Sequence, residues 1–489
     1  MTMIARDADV ITGDDEAIAS LHAAFDRQRQ AFFADPYPSL EERSSHLEAL
    51  AGMMMSNRDR IRQAMSDDFA VHPALFTDMI ECLGIASRAA YAITQLEQWM
   101  ADEERETDPA LMGTARAFVR QQPKGVVGNI VPWNFPFDIG VGPLVEMLAA
   151  GNRIIVKSSD FTPACGELLR EMIASTFDPD RVTVAVGGLE LAKTFPTLSW
   201  DHLLYTGSPG IGRAIMKAAA ENLTPVTLEL GGKCPAIVTE GAVNLKAVAN
   251  IVGTKMIKNG QMCISVDYVL APRARIGEFV ELARQYVREQ TPDYSTSGDC
   301  TGIITERHLD RLIELRQQAV DAGYEVVDLE EGSSVNRDTR QMPLSLIVDP
   351  GEELGVMKEE IFGPLLPVKP YDTLDEAIAF VNAGERPLGL YVFGDDQDAN
   401  EQVLAATTSG GACVNACAMQ GALPSLGFGG IGNSGAGRHH GIDGFREFSN
   451  PRGVVVRGTD DLIDAFYPPY GDTLGAITSA AFGQAPGSV

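Results

Sequence analysis

Positive charge is scarce in this sequence, long apolar runs are absent and cysteines are few. Lys and Arg together number 39 against 67 Asp and Glu, a formal net charge of −28. Nucleic-acid affinity rests on cationic contacts, so a surface this acidic repels phosphate backbones and anionic lipid. No nucleic-acid partner is expected, and solubility is the plain reading of the charge. No stretch approaches the ~18 consecutive apolar residues of a membrane-spanning helix. The opening MTMIARDADVITGDDE meets acidic residues before any apolar core, so no secretory leader is expected. The 7 cysteines are odd in number and irregularly spaced over 489 residues, which argues against a disulfide framework. Cys413 and Cys417 lie four apart with no further ligand nearby to complete a zinc set. His439 and His440 are adjacent, so their side chains diverge on regular structure, and no metal is expected. A reducing compartment, the cytoplasm, follows as the expected location, with no membrane association. The last thirty residues hold four Asp, no Lys or Arg and the pair Pro468-Pro469, which excludes a basic membrane-surface helix.

What is present has the make-up of an ordinary globular protein, 45% hydrophobic and 22% charged. From about Ile18 to Glu106 the apolar spacing is helical, and Ser39 with Glu42 forms an S-x-x-E capping box that marks a helix start. Thr107 to Pro123 reads as an extended arm. From Gly125 short apolar runs alternate with helical stretches. Strands are predicted at Val126 to Val131, Arg153 to Lys157, Val182 to Val186 and His202 to Tyr205, with helices between. That alternation predicts a parallel sheet with helices on both faces, and ligands in such sheets sit at the carboxyl ends of the strands. Trp133-Asn134, Lys157 and Gly207-Ser208 would all lie there. After Gly231-Gly232 a second α/β region runs to about Gly410, with strands predicted at Pro235 to Val238, Val266 to Ala271 and Leu366 to Pro370. A Gly-rich segment, Leu426 to Gly441, precedes a last strand at Gly453 to Val456.

Four local features carry chemistry. Gly207-Ser-Pro-Gly-Ile-Gly212 follows a strand and opens a helix, where backbone N–H groups and the positive helix end suit a phosphate; it also serves as a bare turn. Its G-x-x-G-x-G spacing differs from the dinucleotide fingerprint. Cys263, in K-N-G-Q-M-C, is either a buried small hydrophobe or a thiolate nucleophile at a loop. Glu229, between two leucines and before two glycines, is either a buried general base or a strand-end partner of Lys233. Asn134, held between Trp133 and Phe135, is either an oxyanion donor or part of a turn. Together they describe one reaction. A thiolate attacks a carbonyl, an amide holds the oxyanion, a dinucleotide accepts hydride, and a carboxylate activates water to hydrolyse the thioester.

The motifs V-P-W-N-F-P (131–136), Y-T-G-S (205–208), L-E-L-G-G-K (228–233), G-Q-M-C (260–263), E-I-F-G-P (360–364) and F-G-G-I-G-N-S-G (428–435) stand in order and register. On them the chain, from about Phe25 to Val456, resembles the aldehyde dehydrogenase superfamily. The resemblance implies an α/β aldehyde dehydrogenase-like fold. Residues 1–106 with 126–231 would form the NAD-binding domain and 232–410 the catalytic domain. Residues 107–125 and 411–460 would form a bridging, oligomerising arm, with 461–489 as a tail. By the same resemblance Cys263 is the nucleophile and Glu229 the base, and Asn134 shares the oxyanion hole with the backbone N–H of Cys263. Trp133, Lys157, Asp160, Gly207, Ser208, Gly212, Leu230, Glu360 and Phe362 line the cofactor, Glu360 and Phe362 at the nicotinamide ribose and ring. A homodimer or tetramer is implied.

Departures from the family pattern sharpen these expectations. The usual K-P-S-E is here Lys157-Ser-Ser-Asp160, whose carboxylate suits a ribose 2′-OH and repels a 2′-phosphate, favouring NAD over NADP. Tyr205 stands for the commoner Phe. Lys258 stands where many members have Asn; it would lower the thiol pKa if it faced Cys263, but solvent is its expected direction. The run T-P-V-T-L-E-L-G-G-K and the ending G-I-G-N-S-G-A-G-R-H-H-G look like the class 3 branch. The stretches Ala24 to Arg29 and Phe33 to Arg43 are similar to bacterial coniferyl aldehyde dehydrogenases, which oxidise coniferyl aldehyde to ferulate. Phe135, Phe137 and Met262 are candidate walls for an aromatic aldehyde, and a long aliphatic aldehyde fits the same lining. A CoA-acylating enzyme is disfavoured by Glu229, which has no water to activate there. An inactive binding scaffold is disfavoured by Cys263, Glu229 and Asn134 occurring together.

Overall fold

The computed structural model describes residues 7–483. Two parallel sheets and one antiparallel ribbon organise them. The first sheet has six strands in the order Gly435–Ala436, Val226–Leu230, His202–Gly207, Val126–Ile130, Arg153–Lys157, Val182–Ala185. All neighbours are parallel except the short Gly435–Ala436 strand, which runs against Val226–Leu230 with Gly435 opposite Glu229. Strand order reverses between Val126–Ile130 and His202–Gly207, so a crevice opens at their carboxyl ends.

Helices cover both faces of this sheet. The long helix Asp7–Ala34 packs Leu21, Ala24 and Phe25 on one face, with Phe25 edge-on to Trp200 at 4.9 Å. The other face carries the helices Leu40–Ser56, Ile85–Met100, Asp138–Ala149 and Pro163–Thr176 in one apolar cluster. Leu40–Ser56 begins where the capping box predicts. Ser39 Oγ accepts the Glu42 N–H at 3.2 Å, and Glu42 accepts the Ser39 N–H at 2.7 Å. Loss of such a cap costs about 1 kcal/mol. Ahead of Ile85–Met100 the helix widens into a π-turn over Thr77–Gly84, a form that recurs at functional sites.

The second sheet has seven strands, ordered Glu325–Asp328, Ser345–Val348, Leu365–Tyr371, Tyr268–Pro272, Pro235–Val238, Gly389–Phe393, Gly411–Val414. Only the Glu325–Asp328 edge is antiparallel. The ribbon pairs Glu103–Arg105, Arg116–Pro123 and Ser449–Val456.

Several predicted bounds shift. The helical region ends at Met100, and Glu103–Arg105 already belongs to the ribbon. Residues 411–460 are not all bridging: Gly411–Val414 is an edge strand of the seven-stranded sheet, and Gly435–Ala436 closes the six-stranded one. The strand predicted from Val266 starts at Tyr268, because Asp267 is held by other bonds. Its N–H donates to Cys234 O at 2.8 Å, and its carboxylate takes the Ile361 N–H at 2.9 Å and the Lys233 ammonium. All seven cysteines are free thiols. Among the described residues no helix is long and apolar enough to cross a membrane.

Candidate active site

Four strand ends of the six-stranded sheet deliver candidate residues to one crevice. Asn134 follows Val126–Ile130, Lys157 ends Arg153–Lys157, Ser208 follows His202–Gly207, and Glu229 lies near the end of Val226–Leu230. Cys263 arrives from the chain that builds the seven-stranded sheet, on a turn between the helix Leu245–Met256 and the strand Tyr268–Pro272. The turn is closed by Ser265 N–H to Met262 O at 2.9 Å.

That turn is built from an unusual backbone. Lys258 (φ 52, ψ 26) and Asn259 (φ 54, ψ 40) are left-handed, followed by Gly260 at φ 77. A left-handed residue other than glycine costs roughly 1–2 kcal/mol, so the run persists only where its surroundings determine it. Gln261 supplies much of that. It is fully buried, donates to Lys258 O at 3.0 Å and to Gly302 O at 3.1 Å, and accepts the Ile304 N–H at 3.0 Å. Asn259 donates to Met342 O at 3.2 Å. Asn134, buried, donates one amide proton to Gln261 O at 3.2 Å, leaving the second amide proton for a ligand.

Charge converges on the half-buried Cys263 thiol. Burial, then the Glu360 carboxyl, then Glu229, push its pKa up to about 12, while the backbone N–H groups of Cys263 and Ile264 face the sulfur and pull it down. Glu229 is 2% exposed and neither carboxyl oxygen has a partner. Burial raises its pKa well above the carboxylate range, Arg438 opposing and Glu447 adding to the shift. The alternative pairing with Lys233 is not made, since Lys233 binds Asp267 and the carbonyls of Val356 (2.7 Å) and Glu359 (3.0 Å).

The candidate cofactor residues form the adjoining half of the crevice. Ser208 is exposed and stands at the N-cap of Pro209–Ala220, yet its hydroxyl caps no backbone N–H. Gly212 lets this helix close on the sheet, because a Cβ there would lie 2.8 Å from Leu230 Cδ2; Gly207 makes room for the Tyr205 ring. Lys157 is buried, bonded to the exposed Asp160 and to Gly187 O at 3.3 Å. Trp133 stacks edge-on with Phe362 (5.2 Å) and with His308 (5.4 Å). Glu360 lies against Gly231 and accepts from the Gly232 backbone; burial first, then Asp267, raise its pKa to about 8, and Oε1 has no partner.

Lys258 is the main correction. It faces neither solvent nor sulfur. Its side chain is fully buried, with Nζ 3.6 Å from Glu81 Oε1 and over the rings of Phe69 (4.5 Å) and Phe135 (4.3 Å). Burial lowers Lys258 to about 8 and raises Glu81 to about 7, each charge partly restoring the other. Glu81 also accepts the N–H groups of Phe137 (3.1 Å) and Asp138 (2.6 Å), so the pair ties the π-turn to the segment carrying Asn134. Glu81, Gln261, His308 and Arg438 escaped the sequence reading. Only Gln261, inside G-Q-M-C, and Arg438, inside G-A-G-R-H-H-G, carry a local signal.

Cys263 packs against an apolar cluster of the seven-stranded-sheet region that also holds Phe76, Ile80, Phe135, Ile139, Met262 and Phe428. Phe137, expected with Phe135 and Met262, packs instead in the core beneath the six-stranded sheet.

Comparison with known proteins gives the family. The aldehyde dehydrogenase family model matches residues 8–454. A probable coniferyl aldehyde dehydrogenase of Caulobacter vibrioides is 40% identical, covering 95% of this chain and 97% of that protein. A coniferyl aldehyde dehydrogenase of a Pseudomonas species is 38% identical, covering 94% and 95%. Among solved structures, the substrate-bound AldH of Staphylococcus aureus superposes with a TM-score of 0.87 at 30% identity, covering 95% of this chain and 99% of that one. A Mycobacterium tuberculosis aldehyde dehydrogenase complexed with NAD+ gives 0.80 at 28% identity, covering 89% and 90%. The chain therefore belongs to the aldehyde dehydrogenase family and is an oxidoreductase acting on aldehydes.

Proposed function

We propose that this enzyme oxidises an aromatic propenal, coniferyl aldehyde or a near relative, to its carboxylic acid, with NAD as cofactor. The observation that carries the substrate is the 40% identity, over nearly the full length of both chains, to two proteins named as probable coniferyl aldehyde dehydrogenases, with 38% to one named as a coniferyl aldehyde dehydrogenase. The apolar cluster against which Cys263 packs, with Phe135, Phe428 and Met262 among its members, supports it, since a flat apolar aldehyde meets such surroundings at little polar cost.

The residues divide the work as follows. Cys263 sulfur, as thiolate, adds to the carbonyl carbon, and the oxygen that becomes anionic accepts hydrogen bonds from the free amide N–H of Asn134 and the backbone N–H of Cys263. NAD, when bound, would supply the acceptor for the hydride that leaves that carbon. The acyl group is then a thioester on Cys263. Glu229 takes a proton from water, whose oxygen attacks the thioester and releases acid and thiol. Its raised pKa fits a base that must hold that proton near neutrality.

The residues fit a dinucleotide. Ser208 offers an unengaged hydroxyl at the positive end of Pro209–Ala220, and Glu360 Oε1 is an acceptor without a donor. Lys157 and Asp160 would meet the adenosine ribose, the carboxylate favouring NAD over NADP. Residues up to Leu230 would form the NAD-binding domain, and the second sheet the catalytic domain. The ribbon, with Val455 58% and Val456 51% exposed, would join two subunits; a monomer mass in sedimentation would refute that. Free thiols throughout suit a reducing compartment, the cytoplasm.

The test is a turnover panel of cinnamyl, benzyl and long aliphatic aldehydes with both cofactors, with and without CoA, on wild type and Cys263→Ala. The expected result is highest kcat/KM for the cinnamyl compounds with NAD, free acid as product, and no turnover in Cys263→Ala. Preference for aliphatic chains or release of acyl-CoA would overturn the substrate or product assigned; retained activity in Cys263→Ala would overturn the mechanism.

A further inference from the structure

The four carbonyls from Gln261 to Ile264 each have a donor, and two of these donors come from outside the turn's own backbone and outside the proposed machinery. Cys263 O receives the Cys234 thiol, Sγ to O 3.4 Å, and Ile264 O receives the Tyr391 hydroxyl at 2.6 Å. A trans peptide puts its N–H opposite its carbonyl. Pinning the Cys263 carbonyl on one side therefore sends the Ile264 N–H to the other, and that is the side on which the sulfur lies.

Resting on the reading of Cys263 as nucleophile, we propose that Cys234 and Tyr391 are positioning residues for the reaction. The Cys234 bond fixes the Cys263–Ile264 peptide and so the direction of the Ile264 N–H. The Tyr391 bond fixes the Ile264–Ser265 peptide, whose N–H closes on Met262 O at 2.9 Å and so fixes the peptide that carries the Cys263 N–H. Both N–H groups are thereby held toward the sulfur and the oxygen that develops beside it.

The two donors are themselves fixed by one strand. Gly389 N–H donates to Cys234 Sγ at 3.2 Å, and Tyr391 lies two residues along the same strand, on the same face. Gln420 Nε2 donates to the Tyr391 oxygen at 3.4 Å, which leaves the phenolic proton for Ile264 O; Gln420 Oε1 in turn takes the Cys413 thiol at 2.8 Å. Cys234 and Tyr391 are both fully buried, so water cannot replace either bond. Burial also keeps both groups protonated, hence donors, over the working pH range. An N–H aimed at sulfur stabilises the thiolate against the burial and the two carboxyl groups that oppose it.

The experiment follows alkylation of Cys263 by iodoacetamide as a function of pH, by peptide mapping, in the full-length protein without aldehyde or cofactor. Tyr391→Phe removes only a hydroxyl, Cys234→Ala removes the thiol, and Cys234→Ser keeps a donor in its place. Tyr391→Phe and Cys234→Ala should each move the alkylation profile about one pH unit to the alkaline side, and lower kcat about tenfold with little change in aldehyde KM. Cys234→Ser should restore both. A Tyr391→Phe profile that superposes on wild type overturns the proposal, as does Cys234→Ser behaving like Cys234→Ala. If Cys234→Ala does not fold, Tyr391→Phe decides. Turnover persisting in Cys263→Ala would instead remove the nucleophile reading on which the proposal rests.

Discussion

The two turns that meet in the crevice solve opposite problems. Gly207 to Gly212 is regular: Ser208 stands at the N-cap position with its hydroxyl unengaged, Pro209 fills the first position, where no N–H is needed, and the Gly212 N–H closes the first helical bond on Ser208 O at 2.9 Å. It leaves donors free and faces outward. Lys258 to Ser265 spends its donors and acceptors inward. Its left-handed backbone is set by Gln261, Asn259, Asn134, Cys234, Tyr391 and a buried lysine. A turn that binds a ligand's charge keeps its polar groups unspent; a turn that must aim one atom has the carbonyls around that atom engaged.

The same substitution at the two turns breaks or keeps this contrast, and its largest effect falls at Gly260. A Cβ there would sit 2.3 Å from Gly363 O, on a residue at φ 77. Both the clash and the dihedral oppose a side chain, so Gly260→Ala should lose roughly 3 kcal/mol or more of stability and nearly all turnover. Chemical denaturation and steady-state rates check this; wild-type stability would show that the turn is not over-determined.

The lysine gives the next effect. Removing one member of a buried pair leaves the other charge unpaired, so Lys258→Met alone should destabilise by about 3–5 kcal/mol. Linkage adds a sign. Glu81, raised to about 7, binds more protons folded than unfolded, so its contribution falls as pH rises from the ordinary carboxylate range through about 7. Lys258, lowered to about 8, binds fewer when folded, so its contribution recovers only as pH rises from about 8 towards the ordinary lysine range. The pair is least favourable between the two. The double variant Lys258→Met, Glu81→Gln should therefore gain on wild type near neutrality and lose that gain toward both extremes, in denaturation at a series of pH values. Glutamine still accepts from Phe137 and Asp138. A double variant as unstable as the single one would show that the charges, not the packing, hold the turn.

What could be read in the sequence divides along the same line. The strands Arg153–Lys157 and Pro235–Val238, the cap at Ser39 and the outward turn at Gly207 are local patterns, and each lies where its own residues place it. The motifs placed Cys263, Glu229 and Asn134 beside one another because their order along the chain is that of a known family. Lys258 defies its expected direction because a buried lysine is rare, and the reason for its burial, Glu81, sits on a distant helix whose π-turn leaves no mark in apolar spacing. Gly411–Val414 was assigned to the arm because an edge strand of four residues, exposed on alternate positions, resembles a linker. Cys234 and Tyr391 look like ordinary strand-lining residues until the carbonyls they serve are traced.

The smallest effect belongs to the outward turn. A Cβ at Gly210 would meet nothing within 4 Å, and the residue sits in the first turn of Pro209–Ala220. Gly210→Ala should therefore stabilise the protein by about 0.5 kcal/mol, since alanine gives up less backbone freedom on folding. Cys263 alkylation should not change, because no bond of the inward turn is touched. KM for NAD should rise, because a methyl group there stands where the first-turn N–H groups must approach a phosphate. Thermal unfolding and cofactor titration of one variant thus separate the two turns. A stabilised protein with unaltered KM would mean that the free donors of this helix end do not meet the cofactor, and would return the segment to a bare turn.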